Sequence, residues 1–153
     1  KQSMGPALLT SMDNVQKVLS TNVMGSFLLA REACKLMRKN SFGRIVNIST
    51  MAVPLFSEGC AIYGASKAAV EQFSKVLAKE TASYGVTVNT LGLSFMEDTG
   101  MVNNLSQEAL ETVLRGMILK TALQLKDVTS ALDFFISPEN KMVTGQTLYL
   151  GGV

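Results

Sequence analysis

The sequence predicts an α/β fold, a doubly wound parallel sheet, and three observations carry that prediction. Two runs with helical apolar spacing, over about 12–39 and 61–84, alternate with two short β-branched runs, 44–50 and 86–91. With 47% hydrophobic and 17% charged residues and three prolines, the 153-residue chain is apolar enough to bury such a sheet and sized for one domain. Loop signals separate the runs, with no internal repeat, low-complexity tract or linker.

Each element has its own warrant. Ser11 is a fitting N-cap with Asp13 in the first turn, and Val15, Val18, Leu19, Val23, Phe27, Leu28 and Cys34 recur on one helical stripe. Asn40, Ser41 and Gly43 end that helix, and Arg44–Thr50 is short, β-branched and largely apolar, like a buried parallel strand. Residues 51–60, with Pro54 and Gly59, read as a loop. The Ala-, Lys-, Glu- and Gln-rich run to Tyr84 places Val70, Phe73 and Leu77 together, Gly85 stops it, and Val86–Leu91 is the next strand. A polar stretch over 94–104 precedes helical patterns near 105–117 and 127–137, and 146–150 reads as a last strand before Gly151-Gly152.

Strands alternating with long helices imply crossovers onto a parallel sheet covered on both faces. Three strands are few for such a sheet, and 45–50 reads as a strand flanked on both sides. The chain also opens on Lys1 without a signal-like segment. The expectation is therefore that residues 1–153 are the C-terminal part of one larger domain.

Composition removes several chemistries. There is no histidine, which excludes Ser-His and Cys-His nucleophile systems and the commonest metal ligand, so no metal site is expected. The net charge of +2 comes from 14 Lys and Arg scattered among 12 acids, giving no nucleic-acid surface. No apolar run approaches the roughly 18 residues of a membrane span. Cys34 and Cys60 form no CxxC pair, consistent with a cytoplasmic protein. None of the 12 glycines stands two residues from another, so the phosphate-cradling GxG is absent. Gly59 and Gly64 have the spacing of a phosphate loop, but Ala65-Ser66 follows where Lys-Ser or Lys-Thr is needed.

Chemistry must come from other groups. Tyr63 and Lys67 stand four apart on the second long helix and share a face. An ammonium beside a phenol favours the phenolate, giving tyrosine a usable proton without histidine. The spacing alone equally fits a solvated pair. Thr50, preceded by Ser49, lies at the C-terminal end of a strand, where open parallel sheets bind ligands. Asn22 is a mid-helix amide, a poor helix former unless it satisfies a buried partner.

In this order, Asn22-Val-Met-Gly-Ser-Phe27, Gly43-Arg-Ile-Val-Asn-Ile-Ser-Thr50, Tyr63-Gly-Ala-Ser-Lys67, Val88-Asn89 and the tail Val143–Gly152 resemble the short-chain dehydrogenase/reductase family, nearest to its 3-oxoacyl carrier-protein reductases. The resemblance implies a Rossmann-type domain with its dinucleotide-binding half upstream, NAD or NADP as cofactor, and a small ketone or secondary alcohol as substrate. It implies Tyr63 as general acid/base and Lys67 as the group that lowers its pKa and holds the nicotinamide ribose. Asn22 would support a water in the proton relay, Thr50 would stand for the substrate-orienting serine, and Thr99 would contact the cofactor. Dimers or tetramers would form through the two long helices, and the 153 residues alone would be inactive.

Besides lacking the glycine-rich dinucleotide turn, this sequence departs from the family pattern in three places. Thr50 replaces serine, adding a methyl group and a stiffer χ1, and Ser49 cannot substitute because successive strand side chains face opposite ways. Leu93-Ser94 stands where Pro-Gly is usual, and the following 95–99 loop is one residue longer. The alternative reading is a catalytically silent relative serving as a binding or assembly module.

Overall fold

The computed structural model describes residues 5–96, 111 and 114–152. Helix α1 (Met12–Leu19) starts where Ser11 Oγ accepts the Asn14 N–H at 3.3 Å. The single helix expected over 12–39 is one helical path in three pieces: α1, a π-helical turn at Ser20–Met24, and α2 (Gly25–Met37), closed by a 3-10 turn at Arg38–Asn40. The wider turn carries Asn22, whose side chain is buried against the next helix. Ser41, in the left-handed region at φ 50°, ends the path.

Strand β1 (Gly43–Thr50), helix α3 (Ala61–Thr81) and strand β2 (Val86–Leu93) follow, the last two joined through a 3-10 turn at Ala82–Tyr84 and Gly85 in the left-handed region. Helix α4 (Leu125–Ile136) begins two residues earlier than the sequence suggests. The Gln124 N–H donates to Asp127 Oδ2 at 2.8 Å, and the Gln124 side chain accepts in return. Strand β3 (Thr147–Tyr149) is shorter than expected, although Gln146 and Leu150 extend its ladder: Gln146 O accepts from Thr90 and the Leu150 N–H donates to Gly92 O. Of the helix expected near 105–117, all but its last few residues lie outside the described residues.

The sheet is parallel, in the order β1-β2-β3. The strand with two neighbours is β2, buried at seven of its eight positions, while β1 has one neighbour, β2, among the described residues. Helices cover both faces. Ala30 of α2 and Ala78 of α3 pack with Ile45, Val86 and Val88, and Val128, Ala131 and Phe135 of α4 pack with Leu91 on the other side. A T-shaped contact between Phe27 and Phe73, 5.8 Å between centroids, ties α2 to α3. Among the described residues no helix is long and apolar enough to cross a membrane, and no cluster of metal-ligating side chains occurs.

Candidate active site

The C-terminal end of β1, the loop after it and the start of α3 bring the chemistry-bearing residues together. Thr50 closes β1, and its Oγ1 accepts the Ala52 N–H at 3.3 Å, which turns the chain into the loop. The loop is fastened to the N-terminal segment by Gly5 N–H donating to Gly59 O at 2.9 Å. It delivers Tyr63 in the first turn of α3, buried, with its phenol near enough to the Thr50 side chain to be influenced by it.

Lys67 follows one turn later, and its Nζ donates to the Ile48 carbonyl of β1 at 2.9 Å. Asn22, only 5% exposed, reaches α3 from the π-helical turn: its Nδ2 donates to Ser66 Oγ at 3.0 Å. The Ser66 hydroxyl in turn donates to the Tyr63 carbonyl at 2.7 Å. The mid-helix amide thus has the buried partner its position demands, and the chain of bonds runs from Asn22 to the backbone of Tyr63. Ser49 reaches Glu71 of α3, where its Oγ donates to Oε1. Thr99 lies outside the described residues.

Burial pushes the Tyr63 phenol above its ordinary value, the Thr50 hydroxyl pulls it down, and the nearby Cys60 thiol adds to the rise. Burial pushes the Lys67 ammonium below its ordinary value. The sequence suggested that Lys67 lowers the phenol. In this arrangement one ammonium donor goes to the Ile48 carbonyl, and burial is the largest influence on the phenol. Among the described residues no carboxylate stands within ion-pairing distance of Lys67. An ammonium has three donors, so two remain for the hydroxyls of a ligand.

Three participants escape a sequence reading. Ser66 is fully buried, though it looks like any small polar residue of a helix. Glu71 and Tyr149 are hydrogen-bonded to each other across 78 residues. Only the i, i+4, i+8 spacing of Tyr63, Lys67 and Glu71 hints that the third shares a face with the first two.

A comparison of sequences gives the family. A family model described as "Enoyl-(Acyl carrier protein) reductase" matches residues 1–152. The chain belongs to the short-chain dehydrogenase/reductase family. This short-chain dehydrogenase/reductase chain is 35% identical over 140 residues to the 3-oxoacyl-(acyl-carrier-protein) reductase FabG of Rickettsia conorii, covering 92% of itself and 58% of that relative. It therefore spans a little over half the length of the relative. Among solved structures, a Beutenbergia cavernae protein with bound NADP at low occupancy is 26% identical with a TM-score of 0.89, the match covering 97% of this chain and 60% of that one. NAD+-bound xylitol dehydrogenase has a TM-score of 0.88 at 22% identity, covering 99% and 64% respectively, a likeness of fold.

Proposed function

We propose that the protein carrying this chain is an NAD(P)-dependent oxidoreductase that moves hydride between nicotinamide and a ketone or secondary alcohol, with Tyr63 as general acid/base. The observation that carries this reading is the buried Tyr63 phenol beside the Thr50 side chain at the end of β1, with Lys67 one helical turn further on. A substrate oxygen seated between the two takes a hydrogen bond from Thr50 and a proton from Tyr63 as the carbonyl carbon is reduced. Because burial holds the phenol protonated, it is ready as a donor in the reducing direction. In the oxidising direction it must first lose that proton.

The residues present fit a nicotinamide cofactor: Lys67 has spare donors for ribose hydroxyls and, among the described residues, no carboxylate to hold it away. When bound, that cofactor supplies or accepts the hydride. Lys67 then places a positive charge beside Tyr63 and favours phenolate, the state that oxidation needs. Asn22 supports a water that passes the proton outward, and Thr99 contacts the cofactor. With no GxG in the chain, the dinucleotide-phosphate cradle belongs to an upstream segment, and residues 1–153 are the C-terminal part of one Rossmann-type domain. The protein is cytoplasmic. It pairs with copies of itself through α2, where Leu29 is 76% and Leu36 65% exposed; sedimentation of the full-length protein as a monomer would refute the pairing.

The substrate to assay first is the one for which the FabG relatives are named, a 3-oxoacyl group on a carrier protein. The decisive experiment compares full-length wild type with Tyr63→Phe, following oxidation of NADPH and of NADH by absorbance. General acid–base catalysis contributes about 10²–10⁴-fold, and a loss of that size in kcat with cofactor affinity retained is expected. Unchanged turnover in the variant removes Tyr63 from the chemistry. The direction of Lys67 towards Ile48 favours a second reading, a silent binding module, which absence of turnover in wild type across acyl and sugar ketones would support.

A further inference from the structure

The proton chemistry proposed above makes no use of Glu71, yet this carboxylate is 7% exposed in the middle of α3. Taking a carboxylate out of water costs several kcal/mol unless donors replace the lost hydration. Two do. Ser49 Oγ of β1 donates to Oε1, and the Tyr149 phenol of β3 donates to Oε2 at 2.7 Å.

Those donors are not scattered. Ser49, Gly92 and Tyr149 are register partners in one row across the three strands. A Cβ at position 92 would collide with the Tyr149 ring, so glycine in β2 lets that ring lie across the sheet and reach the carboxylate. Glu71 therefore grips both outer strands at the end of the sheet where the site lies. Ser49 is bonded through its backbone to Thr50. Any slip of Ser49 moves the Thr50 hydroxyl relative to Tyr63, which is itself two turns before Glu71 on the same face of α3.

We propose that Glu71 is a positioning residue: by holding Ser49 and Tyr149 it fixes the tip of β1 against α3, so that Thr50 meets Tyr63. The proposal rests on the enzymatic reading for its kinetic consequence and on geometry alone for its structural one. Misplacement of a catalytic pair by about 1 Å costs on the order of 10²-fold in rate. A carboxylate replaced by leucine leaves both hydroxyls without their acceptor, whereas glutamine keeps one acceptor oxygen and the shape.

The test uses the full-length protein. Glu71→Leu is expected to lower kcat by roughly 10–10²-fold at unchanged cofactor affinity, Glu71→Gln to restore part of it, and Ser49→Ala to fall on the same side. A residue that only stabilises the fold lowers the melting temperature and leaves kcat alone at permissive temperature. Coupling separates the two further: in a Thr50→Val background, Glu71→Gln costs nothing more if it acts through Thr50, and additive losses overturn the proposal. Should Glu71→Leu fail to fold, Glu71→Gln and Ser49→Ala carry the same comparison.

If wild type shows no hydride transfer, the enzymatic reading fails and the structural claim is still read by NMR of ring-labelled tyrosine, of which the chain has three. Glu71→Gln and Thr50→Val should then displace the Tyr63 signal in the same sense. A Tyr63 signal that Glu71→Gln leaves in place overturns the proposal whatever the activity.

Discussion

Gly92→Ala tests the packing on which the grip of Glu71 depends. The added methyl would land on the Tyr149 ring, and two escapes exist. If the ring stays, β2 must shift, an overpacking that costs about 1–3 kcal/mol. If the ring swings away, the bond from the Tyr149 phenol to Glu71 breaks, and a hydrogen bond to a charged group is worth about 1.5–3 kcal/mol. Either loss is offset by roughly 0.4–1 kcal/mol, because alanine lowers the entropy of the unfolded chain. The net is a destabilisation of about 1–2 kcal/mol. Urea unfolding of the full-length protein, followed by far-ultraviolet circular dichroism, measures it. Repeating the substitution in a Tyr149→Ala background isolates the cause: with the ring gone, alanine at 92 should be neutral or slightly stabilising. A stable Gly92→Ala protein with its ring in place, or an equal loss in both backgrounds, refutes the reasoning.

Two further outcomes follow from the same geometry. Thr50→Ser, which keeps the hydroxyl and removes only a methyl group, should retain turnover within a few-fold, while Thr50→Val should lose about 10²-fold; steady-state kinetics decide, and equal activity of the two would show that the hydroxyl is idle. Burial and the Glu71 carboxylate push the Tyr149 phenol far above its ordinary value. The unfolded chain therefore releases this proton first, near pH 10, and stability falls as pH rises beyond that point. Tyr149→Phe should flatten that alkaline slope in urea unfolding as a function of pH, and an unaltered slope would contradict the assignment.

The fold was legible where one periodicity dominates. Apolar stripes marked the α1–α2 path and α3, and β-branched runs marked β1 and β2, because these elements bury a face against a sheet. The π-helical turn at Ser20–Met24 was not legible, since an apolar stripe tolerates one extra residue in a turn and carries no mark for it. Strand β2 runs on to Leu93 because Leu93 O accepts the Met51 N–H, a bond made by the neighbouring strand and not by local propensity. In the candidate site, Thr50, Tyr63 and Lys67 could be placed from helical spacing and the strand-end rule. Glu71 could not, for an acid in a helix is ordinarily assigned to water, and its burial depends on Tyr149, 78 residues away. The direction of Lys67 was also hidden, because which carbonyl an ammonium finds is a matter of tertiary placement.

Buried polar contacts occur at both ends of α3, Thr81 donating to Val86 O of β2 at its C-terminal end, but those that reach β1 lie from Ser74 back towards Tyr63. Near its C-terminal end, Ala78 packs on Ile45, Val86 and Val88, contacts that are non-directional and fix the separation of helix and sheet more firmly than their register. Towards the other end, Ser74 accepts from Asn47, Glu71 from Ser49, Lys67 donates to Ile48, and Tyr63 meets Thr50. Hydrogen bonds weaken steeply when misaligned, so this polar seam specifies one register of the helix along β1 where an apolar face would tolerate several. The desolvation it entails is concentrated at the end where a phenol has to meet a hydroxyl to within hydrogen-bonding distance. That placement suits the proposed proton chemistry, in which Tyr63 and Thr50 share one substrate oxygen.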